Sequence, residues 1–330
     1  MIRETKSDVN IRHAPLFVYN SCMEFNGTDK RYNQYSEHLK NKFGAKVYKI
    51  TLDAGFSCPN RDGTLSHEGC IFCDDGGSFS QAHSNSLSVE EQVNIGAETL
   101  SRRFKAKKFM SYFQAFSNTY KPVKELEKIY SASLCRNDIV GLSIGTRPDC
   151  IDDEKLELIS AFTPDYYTWV EYGLQSVHDK TLKKINRGHD YNTFLNAYEK
   201  TKSKGINVCL HIILNLFETY DEMMQTAQTI AKLEPDGVKI HMLCALEGTK
   251  LAEMYKNGEI DFMSEDEYVN TVCDFLEYLP PKTTIHRLAG NGLRTELVAP
   301  RWIGKKLDCL NKIDREFLRR NSWQGQKFEL

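Results

Sequence analysis

The chain has no long apolar run. Of its 330 residues 41% are hydrophobic, yet the longest apolar stretch, around Val208 to Phe217, is interrupted by His211 and Asn215. A bilayer crossing takes about 20 apolar residues, so no membrane partner is expected. The opening residues lack the apolar core of a secretory leader, carrying Arg3, Glu4, Lys6, Asp8 and Arg12 instead, and a cytoplasmic location is expected. There is no excess of either charge, with a net of −2. Nucleic-acid binders draw much of their affinity from concentrated Lys and Arg, so this balance argues mildly against a large basic face. Low-complexity tracts and linker-like breaks are absent as well. Seven of the ten cysteines, Cys22, Cys135, Cys150, Cys209, Cys244, Cys273 and Cys309, have no close partner in sequence. They read as small buried hydrophobes of a reducing compartment.

The other three cysteines are grouped. The segment Cys58-Pro59-Asn60-Arg61-Asp62-Gly63 is followed by Gly69-Cys70-Ile71-Phe72-Cys73, a C-x11-C-x2-C spacing in a glycine-rich loop after a predicted strand. Three thiolates can hold three irons of a cubane [4Fe–4S] cluster and leave the fourth open to a substrate or cofactor. A zinc site is the rival reading, with His67 as a fourth ligand, although structural zinc usually takes two close pairs. Fortuitous spacing is the third.

The rest of the chain alternates strand and helix. Strands are expected at Val47–Leu52, Phe109–Phe113, Ile139–Ile144, Thr168–Tyr172, Asn207–Leu214 and Gly237–His241. Helices are expected at Asn33–Phe43, from Ser88 (N-cap, with Glu91 completing a capping box), at Val123–Ser133, Asp152–Phe162, Asp221–Leu233 and Ser264–Leu279, and at Trp302–Arg319, with one more strand at Thr283–His286. Helices are also expected on either side of His189. A strand–helix beat of roughly 30 residues signals right-handed βαβ units around a parallel sheet. The fold class is therefore α/β, an open or partial six-unit barrel. Residues 1–45 read as an N-terminal extension, 46–245 as the barrel core and 246–330 as a C-terminal extension packed on it. Such barrels keep their chemistry at the carboxyl ends of the strands, where Gln114 to Thr119, Gly145 to Asp149 and Glu171 to Ser176 fall. The lysines Lys105, Lys107 and Lys108 read as a solvated helix end.

Several motifs in order carry a resemblance. They are Leu52 to Gly63 (LDAGFSCPNRDG), Tyr112 to Phe116 (YFQAF), Gly145 to Asp149 (GTRPD), Gly173 to Ser176 (GLQS) and Ile185 to Asp190 (INRGHD), with Phe72 before the last cysteine of the loop. Together they resemble the radical S-adenosylmethionine enzymes, in the subgroup typified by YhcC and YtqA and similar to the Elp3 and MiaB branches. The resemblance runs from about Lys30 to the C-terminus. It implies a partial (β/α)6 barrel, a [4Fe–4S] cluster on Cys58, Cys70 and Cys73, and S-adenosyl-L-methionine chelated at the open iron. An electron from a flavodoxin- or ferredoxin-type donor would cleave that sulfonium to methionine and a 5′-deoxyadenosyl radical. By position, Gln114, Ser117 and Asn118 would hold the methionine end, Phe72 would lie by the adenine, and Gln175, Ser176 and Arg187 would contact ribose and carboxylate. Where many relatives have Gly-Leu-Pro-Gly-Glu after the fifth strand, this chain has Asn215-Leu216-Phe217-Glu218-Thr219. Glycine and proline shape a tight path there, so the loop is rebuilt, which points to a changed substrate. The stretch Asn291-Gly292-Leu293-Arg294 is altered too.

Radical chemistry needs an acid–base pair and substrate contacts. His211, His241 and Asp149 are the candidates for proton handling, and Arg147, Asn215 and Lys239 for substrate binding. Each has a plainer reading: Arg147 and Asp149 as a capping pair, His211 as a core histidine, His286 and Arg287 as anchors of the last strand. Lys239 and His241 alternate along the sixth strand and so share a face. One divergent branch of the family resembles queuine lyases, which sever a C–N bond of a free modified nucleobase to release 7-aminomethyl-7-deazaguanine in queuosine salvage. The first expectation is that reaction. The second is modification of tRNA, trimming carboxymethylaminomethyl at the wobble uridine to aminomethyl. An Fe–S scaffold or electron carrier would leave the strand-end motifs unexplained.

Overall fold

The structure is a computed structural model that describes residues 25–74, 76–77, 87–290 and 296–329. Its strands are β1 Val47–Leu52, β2 Lys108–Phe113, β3 Ile139–Thr146, β4 Tyr167–Gln175, β5 Asn207–Leu214, β6 Gly237–Met242, β7 Ala245–Leu246, β8 Thr284–Arg287 and β9 Leu297–Ala299. Its helices are α1 Tyr35–Phe43, α2 Val89–Phe104, α3 Val123–Ala132, α4 Asp153–Ser160, α5 Asp179–Lys184, α6 Tyr191–Ser203, α7 Tyr220–Ala231, α8 Lys250–Lys256, α9 Glu265–Tyr278 and α10 Lys306–Arg320.

Seven strands form one sheet in the order β1-β2-β3-β4-β5-β6-β8, and every pairing in it is parallel. Parallel neighbours need crossovers, and the helices between them cover the convex face in a layer of aliphatic and aromatic residues such as Leu126, Ile159, Phe194, Ile230 and Val272. The sheet curls: residues of the two edge strands, β1 and β8, line one cavity, and α1 packs against both. This is the expected partial α/β barrel, with β8 as a seventh strand.

Side chains alternate across a strand, so every second residue faces the concave side. At its amino end this side is closed by α1, which buries Tyr35 and Leu39 against Met110, Trp169 and Cys209. Tyr35 meets Trp169 edge-on at 5.3 Å between ring centroids and stacks on His286 at 3.6 Å. Nearer the carboxyl ends the concave positions are polar: Lys49, Tyr112, Ser143, Glu171, His211 and Lys239.

Helix starts follow their caps. Ser88 Oγ accepts from Glu91 N at 3.2 Å and the Glu91 carboxylate accepts from Ser88 N at 2.7 Å, the reciprocal box expected for α2. Four expectations shift. Helix α1 begins at Tyr35, because Gln34 pairs in parallel with Ile285 of β8. Strand β4 runs on to Gln175, so Gly173 to Gln175 lie inside the strand rather than beyond it. The closing segment opens with a short 3-10 turn at Arg301–Gly304 before α10. Lys108 belongs to β2, with its ammonium 5.7 Å from the Phe43 ring, while Lys105 caps α2. Of the single cysteines, Cys150, Cys209, Cys273 and Cys309 are buried and Cys244 partly so. Cys135 is a correction: it is exposed, because it lies in the turn between α3 and β3. Cys22, residues 1–24 of the N-terminal extension and residues 291–294 lie outside the described residues. Among those described, no helix is long and apolar enough to cross a membrane.

Since α1 seals the barrel mainly through Leu39 and Tyr35, Leu39→Ala is expected to lower stability by about 2–5 kcal/mol, the cost of a large-to-small change in a closed core. Urea unfolding followed by circular dichroism measures it; a loss under about 1 kcal/mol would show that the seal collapses around the cavity.

Candidate active site

The loop between β1 and α2 is held by hydrogen bonds from several directions. Arg61 N donates to Cys58 O at 2.8 Å and Cys73 N to Cys70 O at 2.9 Å, so both cysteine segments begin tight turns. Gly69 takes a left-handed φ of 72° while its N–H donates to Asn60 O at 2.7 Å. Asn60 Nδ2 donates to Asn186 O at 2.6 Å, and Asn186 Nδ2 returns a bond to Gly69 O at 2.7 Å. Arg61 Nη1 donates to the carbonyls of Cys73 and Asp74 at 3.2 and 2.8 Å. Between the two close cysteines, Ile71 N donates to Ile185 O at 3.2 Å and Ile71 O accepts from Leu251 N at 2.8 Å. Ile71 and Phe72 then pack on a second apolar cluster that includes Leu182, Ile185, Leu216 and Leu251.

Cys58, Cys70 and Cys73 lie on the wall of one cavity of about 780 Å³, mouth included. Donors converge on the buried Cys70: Arg187 Nη1 lies 3.5 Å from its sulfur and Asn60 Nδ2 3.7 Å. Arg187 is fixed by two bonds to Gly173 O, at 3.0 Å from Nε and 2.6 Å from Nη2. Gly173 leaves room for that guanidinium, since a Cβ would come within 2.6 Å of it.

The wall fits a polar guest. Ser117 Oγ, Arg147 Nη1 and His241 Nε2 are buried, line the cavity and have no hydrogen-bond partner among the described residues. Orphaned buried polar atoms are costly unless a ligand satisfies them. The sulfurs also fit a cluster better than one ion. Among the described residues Glu171, Cys209 and His211 are the group whose ligand atoms lie within 4.8 Å of one another, and the three loop cysteines do not close to that distance. Tetrahedral zinc would bring its sulfurs to about 4 Å, given Zn–S near 2.3 Å. The Glu171 group is itself unsuited to a cation, for the carboxylate already carries two ammoniums.

That carboxylate is the centre of the cavity floor. Glu171 Oε1 accepts from Lys49 Nζ at 2.5 Å and Ser143 Oγ at 2.6 Å. Its Oε2 accepts from His211 Nε2 at 2.7 Å and Lys239 Nζ at 3.1 Å. Lys239 also donates to Tyr112 Oη at 2.7 Å. Burial alone would raise the Glu171 pKa, but Lys239, Lys49 and His211 hold it well below the usual carboxylate range. Burial lowers Lys239 to about 8, with Arg287 and Lys49 adding to the fall and Glu171 opposing it. Burial and Lys239 bring His211 down to about 4, so its neutral ring donates Nε2–H to Glu171. His241, 5.2 Å from His211 between ring centroids, is likewise driven neutral by burial.

The expected site residues divide accordingly. The cavity gathers the three cysteines, Phe72, Gln114, Ser117, Arg147, Gln175, Arg187, His211, Lys239 and His241. Asn118 is turned into the backbone, donating to Gly145 O at 2.7 Å. Ser176 bonds Glu218 and accepts from His178 N. Asn215 donates to Asp261 O at 3.0 Å. Asp149 grips Arg147 through two bonds, at 2.9 and 2.7 Å, and lines a separate surface hollow with Tyr120 and His189. The rebuilt loop keeps a glycine-like path without glycine, with Asn215 at φ 73° and Phe217 at φ 56°. Asparagine tolerates that region, whereas an aromatic residue is strained in it. Sequence reasoning gave no role to Lys49, Tyr112, Ser143 or Glu171. The available signal was a lone carboxylate in the otherwise apolar run Tyr167-Thr168-Trp169-Val170-Glu171.

A model described as the Radical SAM superfamily matches residues 63–230, and the Radical_SAM C-terminal domain matches residues 235–319. YtqA of Bacillus subtilis is 40% identical over 94% of this chain and 97% of its own. YhcC of Escherichia coli is 35% identical over 90% and 95%. A tRNA uridine(34) acetyltransferase of Methanocaldococcus infernus is 30% identical, over 49% of this chain and 30% of its own length. Among solved structures, the archaeal Methanocaldococcus infernus Elp3 with an N-terminal deletion superposes with a TM-score of 0.64 at 17% identity, covering 84% of this chain and 64% of that one.

Replacing Glu171 by Gln strands two ammoniums on the concave face. Removing one member of a buried ionic group costs about 3–5 kcal/mol, so Glu171→Gln is expected to unfold at markedly lower urea than the parent. An unchanged midpoint would mean that the lysines find other partners.

Proposed function

We propose that this chain, which belongs to the radical S-adenosylmethionine superfamily and within it to the family of YtqA and YhcC, is a C–N lyase acting at the secondary amine of a modified nucleobase. When bound, the [4Fe–4S] cluster and S-adenosyl-L-methionine supply a 5′-deoxyadenosyl radical that removes a hydrogen atom from the substrate. A carbon radical next to the amine passes one electron back to the electron-transfer protein to become an iminium. Water adds to it, and the C–N bond breaks to a carbonyl and an amine whose departing nitrogen needs a proton. The observation that carries this reading is the floor itself: one ammonium, Lys239, shared by Glu171 and Tyr112 on the wall of the cavity that holds the cysteines.

In this reading Cys58, Cys70 and Cys73 hold the cluster, and Arg187 keeps the Cys70 sulfur charge-compensated. Ser117, Gln114, Gln175 and Arg147 offer polar atoms to the nucleotide, with Phe72 by its adenine. Lys239 delivers the proton, Glu171 orients it, and neutral His211 and His241 bound the substrate's space. A flavodoxin- or ferredoxin-type protein supplies the electron.

Two nucleobases carry a suitable amine. Free queuine, cleaved to 7-aminomethyl-7-deazaguanine, suits a cavity of small-molecule size on a chain without basic excess. Carboxymethylaminomethyl-uridine of tRNA, trimmed to aminomethyl-uridine, is favoured by the wobble-uridine enzyme among the relatives. Anaerobic incubation of reconstituted protein with S-adenosylmethionine, a reductant and either queuine or bulk tRNA separates them by mass spectrometry of the products. Formation of 5′-deoxyadenosine with neither amine product would sink the lyase reading. Cys73→Ala is expected to lose the cluster's absorption and all turnover.

Proton delivery from Lys239 sets a pH limit. Its pKa lies at about 8 rather than the usual lysine value, so the donor form is lost as pH rises through that value. The rate is expected to fall above pH 8 and, in Lys239→Met, by roughly 100-fold or more, the scale of general acid catalysis. A flat profile between pH 7 and 9 would remove Lys239 from this role.

A further inference from the structure

Between the edge strands β1 and β8 a second cavity opens, lined by Lys49, Tyr112 and Gln114 on one side and Lys239, Arg287 and Lys306 on the other. It shares Tyr112, Gln114 and Lys239 with the cysteine cavity. Four of its lining residues are cations and none is a carboxylate. Lys49 and Lys239 already have Glu171 as counter-charge. Arg287 and Lys306 have none: both are half-buried, and neither makes a hydrogen bond or ion pair among the described residues. Arg287 stands beside Lys239 in register across β6 and β8. The remaining titratable groups on the wall, the phenols of Tyr32, Tyr35 and Tyr112 and the ring of His286, are held neutral by burial. Asp314 of α10, which abuts Tyr32, is paired with Lys30. Repelling cations in a partly dry cleft are unfavourable unless an anion joins them.

We infer that this opening is an oxyanion subsite, in which Arg287 and Lys306 take a carboxylate or phosphate borne by the substrate. The planar guanidinium offers a two-pronged grip on either group, and the ammonium adds a point charge. An anion held there places the rest of the molecule over Tyr112, Lys239 and the cysteine cavity. The inference deepens the lyase reading, on which it rests for its probes, and it selects among the two bases: queuine carries no oxyanion, while carboxymethylaminomethyl-uridine carries one.

The test is calorimetric binding to the reconstituted, S-adenosylmethionine-loaded enzyme of 5-carboxymethylaminomethyluridine, its uncharged methyl ester and uridine 5′-phosphate. The parent protein is expected to bind the acid more tightly than the ester. Arg287→Gln and Lys306→Met are each expected to weaken the acid by roughly 10- to 100-fold, the worth of hydrogen bonds to a charged group. Both should leave the ester within about twofold, as a change away from its contacts would. Arg287→Lys should recover part of the loss, which separates lost charge from lost fold. Loss confined to uridine 5′-phosphate would support the subsite with phosphate as its anion. Variants that shift neither the acid nor uridine 5′-phosphate by more than twofold would overturn the subsite. Failure of the lyase reading shows separately, as no amine product from either base with the anion affinities still dependent on Arg287.

Discussion

A carboxylate with no exposure to water, held by two ammoniums, a hydroxyl and an imidazole, fixes the interior of this half-barrel. An isolated ionised Glu171 would be prohibitively costly there, and Lys239 and Lys49 would be similarly unfavourable without it. Together they are tolerable because every lone pair of the carboxylate has a donor. The donors come from β1, β3, β5 and β6, so the network ties the register of five strands, counting β4, to one point. Apolar residues of equal volume could fill the same space with no loss of stability. This polar group stands on the wall of the same cavity as the cysteines.

The cysteine loop is positioned by a different means. It has little secondary structure of its own, and its shape is set by side chains bonding to backbone carbonyls. Asn60, Arg61 and Asn186 do this from two separate stretches of chain, while Arg187 reaches the Cys70 sulfur. The motifs around Cys58 and around Arg187, more than a hundred residues apart in sequence, are thus halves of one clasp. Gly173 completes it by leaving room for the guanidinium. Replacing any of these asparagines by an aliphatic residue would leave carbonyls unsatisfied in a buried turn, which explains why polar residues stand where packing alone would accept others.

Much of this was legible in order along the chain. The cysteine spacing, the strand–helix beat and the capping box of Ser88 are local features, and local features survive translation into structure. The floor is not local. Glu171 meets Lys49, His211 and Lys239 only because parallel strands stagger them to one level, and no short window of sequence contains two of them. The same reason separates Asp149 from the histidines: it follows β3 closely in sequence, yet its carboxylate turns back on Arg147 and faces an outer hollow. Arg287 read as an anchor of the last strand because its neighbours across the opening, Lys49 and Lys306, are remote in sequence. Asn118 and Ser176 stand in the right motifs but spend their hydrogen bonds on backbone and on Glu218.

The charges also divide along the barrel axis. At the carboxyl ends of the strands, the three loop cysteines share their cavity with two buried guanidiniums, Arg147 and Arg187. In the middle layer the described lining residues of the two cavities set one carboxylate, Glu171, against Lys49, Lys239, Arg287 and Lys306, leaving a positive excess in a region of low dielectric. Fields are strong in such a region because little water screens them. A guest spanning both cavities therefore meets sulfur at one end and an excess of cations at the other, which fixes its direction before any base-specific contact is made. Direction decides which carbon lies nearest the cluster, and in radical chemistry the nearest hydrogen is the one removed. Selectivity of the reaction would then follow from the electrostatics of the floor as much as from the shape of the wall.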